Sequence, residues 1–152
     1  MSDKEKFLAA KAAANDAVLL YVLEETKPQQ LRAKVLAVYT ARKGVTPKML
    51  DREIEFVHAS SAWGNKPLRP GETALVFLSE ISGRLYEDSW NGHLLVDDIE
   101  GEQYASYRFP QLWLSENLPA SLRPHTRGDP QRPQCSAIRL PELAEYIKKE
   151  LG

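Results

Sequence analysis

A single cysteine, Cys135, leaves this chain without any internal disulfide, which excludes the stapled framework of a small secreted domain. The thiol pairs needed for most structural zinc sites are absent too. His58, His93 and His125 lie far apart in the sequence, and none belongs to a His-x-His or His-x-x-x-His pair, so no metal site is expected. The eight glycines fall singly at turns, and neither a Gly-x-x-x-x-Gly-Lys nor a Gly-x-Gly-x-x-Gly phosphate cradle occurs, so no nucleotide cofactor is expected either. Long apolar runs are missing. The longest, Ala17 to Leu23, falls far short of the roughly 20 residues that span a bilayer. The first residues, Met1 to Lys6, carry both signs of charge and do not read as a secretory leader, so the expected location is cytoplasmic. Charge of one sign is lacking as well: the net charge is −1, where duplex-binding proteins carry a basic excess that neutralises phosphates.

What is present suits one domain over residues 1–152, with 43% hydrophobic residues and 27% charged. The spacing predicts a helix over 2–15, opened by a capping box of Ser2 and Glu5. Asn15-Asp16 stops it. Ala17 to Leu23 shows no alternation, so it is either a strand buried on both faces or a continuation of the helix. In Leu31 to Thr40, Leu31, Ala33, Val35, Ala37 and Tyr39 share one face, and the opposite face, with Arg32, Lys34, Leu36, Val38 and Thr40, turns apolar toward its end. Such a change suits a coiled barrel strand. Asp51 to Ala59 places Ile54, Phe56 and His58 on one face, and Thr73 to Ile81 is the most hydrophobic strand.

Turns at Ser82-Gly83, Asn91-Gly92 and Glu100-Gly101 predict a meander from 84 to 109, with Asn91-Gly92 as a two-residue hairpin. Residues 110–134 hold Pro110, Pro119, Pro124, Pro130 and Pro133 and are expected to form an irregular strap, tied down by Leu112, Trp113, Leu114, Leu118 and Leu122. A final helix is expected over 141–151, with Leu143, Ile147 and Leu151 inward. The fold class is therefore mostly β (α+β): an antiparallel, partly open β-barrel of five to six strands over 17–109, with flanking N- and C-terminal helices.

Three groups of residues could carry a function. The first is a cluster of acids with neighbouring aromatics: Glu87, Asp88, Asp97, Asp98, Glu100 and Glu102, beside Trp63, Trp90 and Tyr104. Clustered charge steers a partner of opposite sign, and Trp and Tyr anchor interfaces. The second is the set of strap arginines Arg123, Arg127 and Arg132, which could follow a single nucleic-acid strand. The third is His58 with Ser60 and Ser61, a possible hydrolase pair that lacks a Gly-x-Ser-x-Gly elbow. Cys135 near Arg132 carries no nucleophile signature.

The order Val38-Tyr39, Lys43-Gly44, Leu68-Arg69-Pro70-Gly71-Glu72, Ala74-Leu75-Val76-Phe77-Leu78 and Gly83-Arg84-Leu85-Tyr86 resembles the netrin-like, or tissue-inhibitor-of-metalloproteinase-like, barrel, a variant of the oligonucleotide-binding fold. That resemblance spans about half the chain. It implies a barrel only, because the disulfides and the zinc-chelating N-terminal cysteine of the inhibitors are absent here. In size, charge placement and lack of motif the chain also resembles bacterial toxin-immunity proteins. The combined expectation is a protein-binding domain without catalytic residues, cofactor or metal, whose partner presents a basic surface.

Overall fold

The computed structural model describes residues 7–58, 67–88, 92–106, 118–130 and 132–151. Among the described residues, two helices and nine strands follow in chain order: α1 (Phe7–Ala14), β1 (Asp16–Lys27), β2 (Gln30–Val38), β3 (Glu53–Val57), β4 (Thr73–Ile81), β5 (Arg84–Glu87), β6 (His93–Ile99), β7 (Glu102–Ser106), β8 (Thr126–Asp129), β9 (Arg132–Arg139) and α2 (Leu140–Leu151). Short 3-10 turns at Pro47–Met49 and Arg123–His125 precede β3 and β8. The predicted mostly β barrel with terminal helices is present. Ser2 and Glu5, the expected capping box, lie outside the described residues, as do Leu112, Trp113 and Leu114.

Five strands close the barrel in the order β1-β2-β3-β5-β4, and β4 returns to pair with β1. All pairings are antiparallel except β3 with β5, which is parallel and joins only Phe56 to Leu85 and Val57 to Tyr86. The sheet then continues off β4 through β6, β7, β9 and β8.

β1 and β4 show no alternation over the stretch where both faces are buried. Val18, Leu20 and Val22 of β1 meet Ala74, Val76 and Leu78 of β4 inside the barrel, with Leu31, Val35 and Phe56. Ala17 and Leu19, with Leu75 and Phe77, face outward and are covered by Leu8 and Ala12 of α1 and by Leu143 and Ile147 of α2. The unalternated run is thus a strand that lies between two cores from Ala17 to Leu20, the arrangement that makes continuous apolar strands favourable, while Tyr21 is exposed. The change of face along β2 is a bulge. Leu19 pairs with Ala37 but Leu20 pairs with Val35, so Leu36 is the extra residue. Beyond it Val38 turns into the barrel core, while Ala37 and Tyr39 pack on the helical layer.

Three tight turns carry a non-glycine residue at positive φ. Pro28-Gln29 joins β1 to β2 with Gln29 at φ 64, and Ser82-Gly83 and Glu100-Gly101 have positive φ at both positions, as a two-residue hairpin of the primed type needs. Of the expected Asn91-Gly92 hairpin, Asn91 lies outside the described residues, but the strands it would join are not hairpin partners. β5 and β6 do not pair with each other; both lie antiparallel along the same edge of β4, end to end. The Phe77 amide donates to the Gly92 carbonyl at 2.8 Å, and the Asp88 amide donates to the Phe77 carbonyl at 3.0 Å, so one residue of β4 marks where the chain leaves the edge and returns. Leu78 faces Glu87 and Val76 faces His93, so a step of two residues on β4 is matched by six on the other side. Gly92 is required by space: a Cβ there would collide with the Asp88 carbonyl and the Glu87 side chain. The strap also differs from expectation, since β8 and the start of β9 lie within 110–134 and pair as a hairpin. Leu118 and Leu122 are buried in the helical-layer core, as their apolar character predicts.

Asp16 closes the other end of the design. It is fully buried at the start of β1, and its carboxylate accepts the backbone N–H groups of Arg42 at 2.6 Å, Lys43 at 2.7 Å and Val45 at 3.0 Å. The loop after β2 is thereby wrapped around one side chain. Gly44, at φ +116, sits where a Cβ would collide with Glu80, whose amide donates to the Lys43 carbonyl at 2.7 Å. Replacing Asp16 with alanine leaves three amides without an acceptor, and Asp16→Ala should lower stability by about 3 kcal/mol or more in urea unfolding at unchanged m. A loss below about 1 kcal/mol would mean that the loop finds other partners.

Candidate functional site

The strand ends around the β3–β5 seam bring together three side chains that the sequence keeps apart. His58 follows β3 and shares the inward face of Phe56. Glu87 ends β5 on the inward face of Leu85. His93 opens β6 opposite the inward Val76. All three are buried, with exposures of 5%, 5% and 2%. His58 Nδ1 lies 2.6 Å from Glu87 Oε1, and His93 Nδ1 lies 2.7 Å from Glu87 Oε2. One carboxylate therefore joins two imidazoles, whose ring centroids are 5.6 Å apart. The expectation that the histidines stay dispersed is corrected here: the excursion between β5 and β6 folds Glu87 and His93 onto one another.

The protons can be assigned from the partners. The Leu68 amide donates to His58 Nε2 at 3.0 Å, so that nitrogen carries a lone pair. Nδ1 then carries the proton, which it donates to Glu87, and His58 is a neutral ring. His93 donates from Nδ1 in the same way, while its buried Nε2 has no hydrogen-bond partner among the described residues. Burial alone would push the Glu87 carboxyl up. The charge of His93, the N–H groups of both histidines and the charge of His58 outweigh it and hold the carboxyl below its ordinary value.

Two histidines and a carboxylate whose donor atoms lie within 4.8 Å of one another also satisfy the donor count of an ion site. The hydrogen bonds argue against that use. A metal on His58 Nδ1 would force the ring proton onto Nε2, directly against the Leu68 N–H. The residues fit shared protons and do not fit an ion. The same bonds disarm the hydrolase reading. Both nitrogens of His58 are engaged, so neither can take a proton from Ser60 or Ser61, which lie outside the described residues.

Beside the cluster, Lys11 of α1 pairs with Asp88 at 3.0 Å, and Asn15 donates to the same carboxylate at 2.9 Å. Burial pulls the Lys11 ammonium down, and Asp88 opposes this. Of the predicted interface acids, Glu87 and Asp88 are therefore spoken for. Glu87 is interior and takes no part in an exposed face, and Asp88 ties the first helix to the end of β5. Trp63 and Trp90 lie outside the described residues.

The remaining acids gather on the β6–β7 hairpin. Asp98, Glu100 and Glu102 are exposed, and Asp97 and Tyr104 are half-buried. Arginines reach this hairpin from β8 and β9. Arg127 pairs with Glu100 at 3.0 Å and lies over the Tyr104 ring at 5.9 Å, and Arg139 pairs with Glu102 at 3.0 Å and with Glu142. Asp97 and Asp98 stand on a ridge between two surface depressions. One, of about 290 Å³, includes Glu72 and Gln103; the other, of about 230 Å³, includes Glu100, Arg127 and Asp129. Of the arginines named for single-strand binding, Arg127 pairs with Glu100, Arg123 donates to the Leu118 carbonyl at 2.8 Å, and the side chain of Arg132 lies outside the described residues. Cys135 belongs to β9, and its side chain is likewise outside them.

Removing the shared carboxylate should be costly. Glu87→Gln is expected to lower stability by about 3 kcal/mol at neutral pH, as for a buried pair that loses one partner. The sign with pH follows from the direction of the shift. The folded carboxyl lies below its ordinary 4.5, so its contribution is present above that value and is lost as the pH falls from there through the folded value. Urea midpoints measured across that acid range should fall more steeply in the wild type than in Glu87→Gln. Added Zn²⁺ should leave the wild-type transition in place; a zinc-dependent rise that His93→Ala abolishes would make the cluster a metal centre after all.

Comparison with known proteins adds no relative: no family model, no curated protein and no solved structure matches the chain.

Proposed function

We propose that this chain is a non-enzymatic protein-binding domain that meets a basic partner through the ridge at Asp97 and Asp98. The observation that carries the reading is the make-up of the two depressions flanking that ridge. Glu72, Asp97, Asp98, Glu100 and Asp129 are among the residues that line them, together with Arg127, which pairs with Glu100. A concave surface of one sign focuses its field and accelerates encounter with a partner of the other. Glu102 and Tyr104 border the same hairpin, so the partner-facing set is Asp97, Asp98, Glu100, Glu102 and Tyr104.

The absence of catalysis in this reading is supported by the state of the interior. His58, Glu87 and His93 converge, yet they are buried, and the bonds they make commit both nitrogens of His58 and both oxygens of Glu87. General acid–base work needs a group that can reach a substrate proton. The finer form of the proposal is an immunity protein acting in a bacterial cytoplasm, which covers a toxin's basic active site with the acidic ridge. The five-strand closure supports a likeness to oligonucleotide-binding-type barrels, a scaffold that presents surfaces to many kinds of partner.

Affinity capture at low salt, run in parallel with the wild type and with Asp97→Lys/Asp98→Lys, tests the face. Proteins that bind the wild type should be released by added salt, and the double variant should hold them at least about tenfold less tightly, mainly through slower association. Partners retained equally by both proteins would remove the ridge from the interface.

A further inference from the structure

β3 is fully paired along one edge only. Glu53 to Val57 all pair with β2, but on the other side just Phe56 and Val57 pair with β5. Two steps before that parallel pairing, β5 has not begun: the chain turns through Ser82-Gly83 into β4 and leaves the edge. The direction of the backbone groups follows from the β2 side. The His58 amide donates to the Gln29 carbonyl at 2.7 Å, and the Arg52 carbonyl accepts from the Val35 amide at 2.9 Å. Even-numbered residues of this strand therefore turn their N–H and C=O toward β2, and Glu53, Glu55 and Val57 turn theirs toward β5. Among the described residues, the N–H and C=O of Glu53 and the N–H of Glu55 have no strand beside them.

This edge opens on a groove of about 360 Å³. Ile54 to Val57 line it from β3, and Glu80, Arg84 and Leu85 line it from the β4–β5 hairpin. Phe56 and Leu85 belong to the barrel core, and Met49 and Ile54, also in the lining, pack against that core. At the turn the space is open: a Cβ added to Gly83 would meet no atom within 4 Å.

We propose that the free edge of β3 is a docking site for an extended segment of a partner protein, which adds there as a strand and carries an apolar residue between basic ones. Unpaired donors and acceptors along a strand are satisfied by another extended backbone, and side chains at alternate positions then set the specificity. Three residues of such a segment span about 10 Å. The one level with Ile54 shares its face and meets the apolar lining. Those level with Glu53 and Glu55 share the exposed face, where opposite charge is favoured across strands. Glu53 already meets Arg32, and Glu55 meets the neutral amide of Gln30. Glu80 is exposed, and its carboxylate has no ion pair among the described residues. The cation in the lining, Arg84, donates to Gln30 at 3.2 Å. The same charges disfavour the other occupants. A second copy would set Glu53 and Glu55 against their own kind, and a nucleic acid would bring phosphates to these carboxylates. The site lies on other strands than the Asp97–Asp98 ridge and does not rest on it.

A titration of the ¹⁵N-labelled full chain with an end-blocked hexapeptide alternating Lys and Val tests the site. The Glu53 and Glu55 amides should shift and gain exchange protection, and they should do so equally in Asp97→Lys/Asp98→Lys, which separates this edge from the ridge. Glu55→Lys should bind about two- to fivefold more weakly, the worth of one exposed ion pair. The same peptide N-methylated along its backbone keeps its charge but cannot join a ladder, and it should leave both amides unmoved. Because that control needs no variant, the test stands even where Glu55→Lys fails to fold. Silence of the Glu53 and Glu55 amides at millimolar peptide, or an equal response to the N-methylated peptide, would overturn the proposal. So would the same shifts on raising the protein concentration alone, which would make the occupant a second copy, or on adding single-stranded oligothymidylate, which would make it a nucleic acid.

Discussion

The structure depends on two neighbouring strands that have no solvent face over Ala17 to Leu20 and Ala74 to Leu78. β1 and β4 pair over Asp16 to Tyr21 and Thr73 to Leu78, with the barrel core on one side and the two helices on the other. Each buried Val, Leu or Phe side chain contributes roughly 1.5–3 kcal/mol by leaving water, so this ribbon is where the hydrophobic stabilisation concentrates. It also sets the geometry. Because β4 serves β1 along one edge, only its other edge is left for the later strands, and β5 and β6 must share it.

That sharing explains the buried polar groups. Where the chain leaves β4 at Asp88 and returns at Gly92, two inward positions that would be well separated on a hairpin become neighbours. One is occupied by Glu87, the other by His93. An isolated carboxylate in that interior would be costly, and two imidazole N–H donors compensate it. Asp16 solves the same problem with backbone amides in place of side chains. The two carboxylates occupy ends of barrel strands, where the ladder runs out and backbone groups need partners. Burying a charge there costs desolvation but specifies one arrangement of the chain.

The sequence made the strands legible and left their neighbours obscure. Thr73 to Ile81 matches β4, because a run this apolar, bounded by Pro70-Gly71 and Ser82-Gly83, has few alternatives. The inward face Ile54, Phe56 and His58 was readable from alternation, since period two holds within any strand. Asn91-Gly92 was misleading for a physical reason. Its glycine looks like the residue of a tight turn, yet what it meets is the close approach of Asp88 and Glu87, and a one-dimensional pattern does not distinguish the two demands. With that turn read as a hairpin, Glu87 would stand opposite Val96, so the cluster could not be found. His58 sharing a face with Phe56 was the one available signal, since a histidine on an apolar face must find a buried partner.

The same reasoning separates the acids that the composition groups together. Glu87 and Asp88 follow each other in the chain, but strand alternation sends the first inward to two histidines and the second toward Lys11 and Asn15. Ten residues on, Asp97 and Asp98 stand on a hairpin edge with water on one side. Arginines from β8 and β9 neutralise the tip at Glu100 and Glu102, so the negative field is displaced from the turn toward the ridge and its two hollows. Charge that is compensated in the interior orders the fold, and acids on an exposed hairpin are what a basic partner of the proposed kind would meet. The division between buried carboxylates and exposed ones is therefore made by the path of β5 and β6 along β4, after composition has had its say.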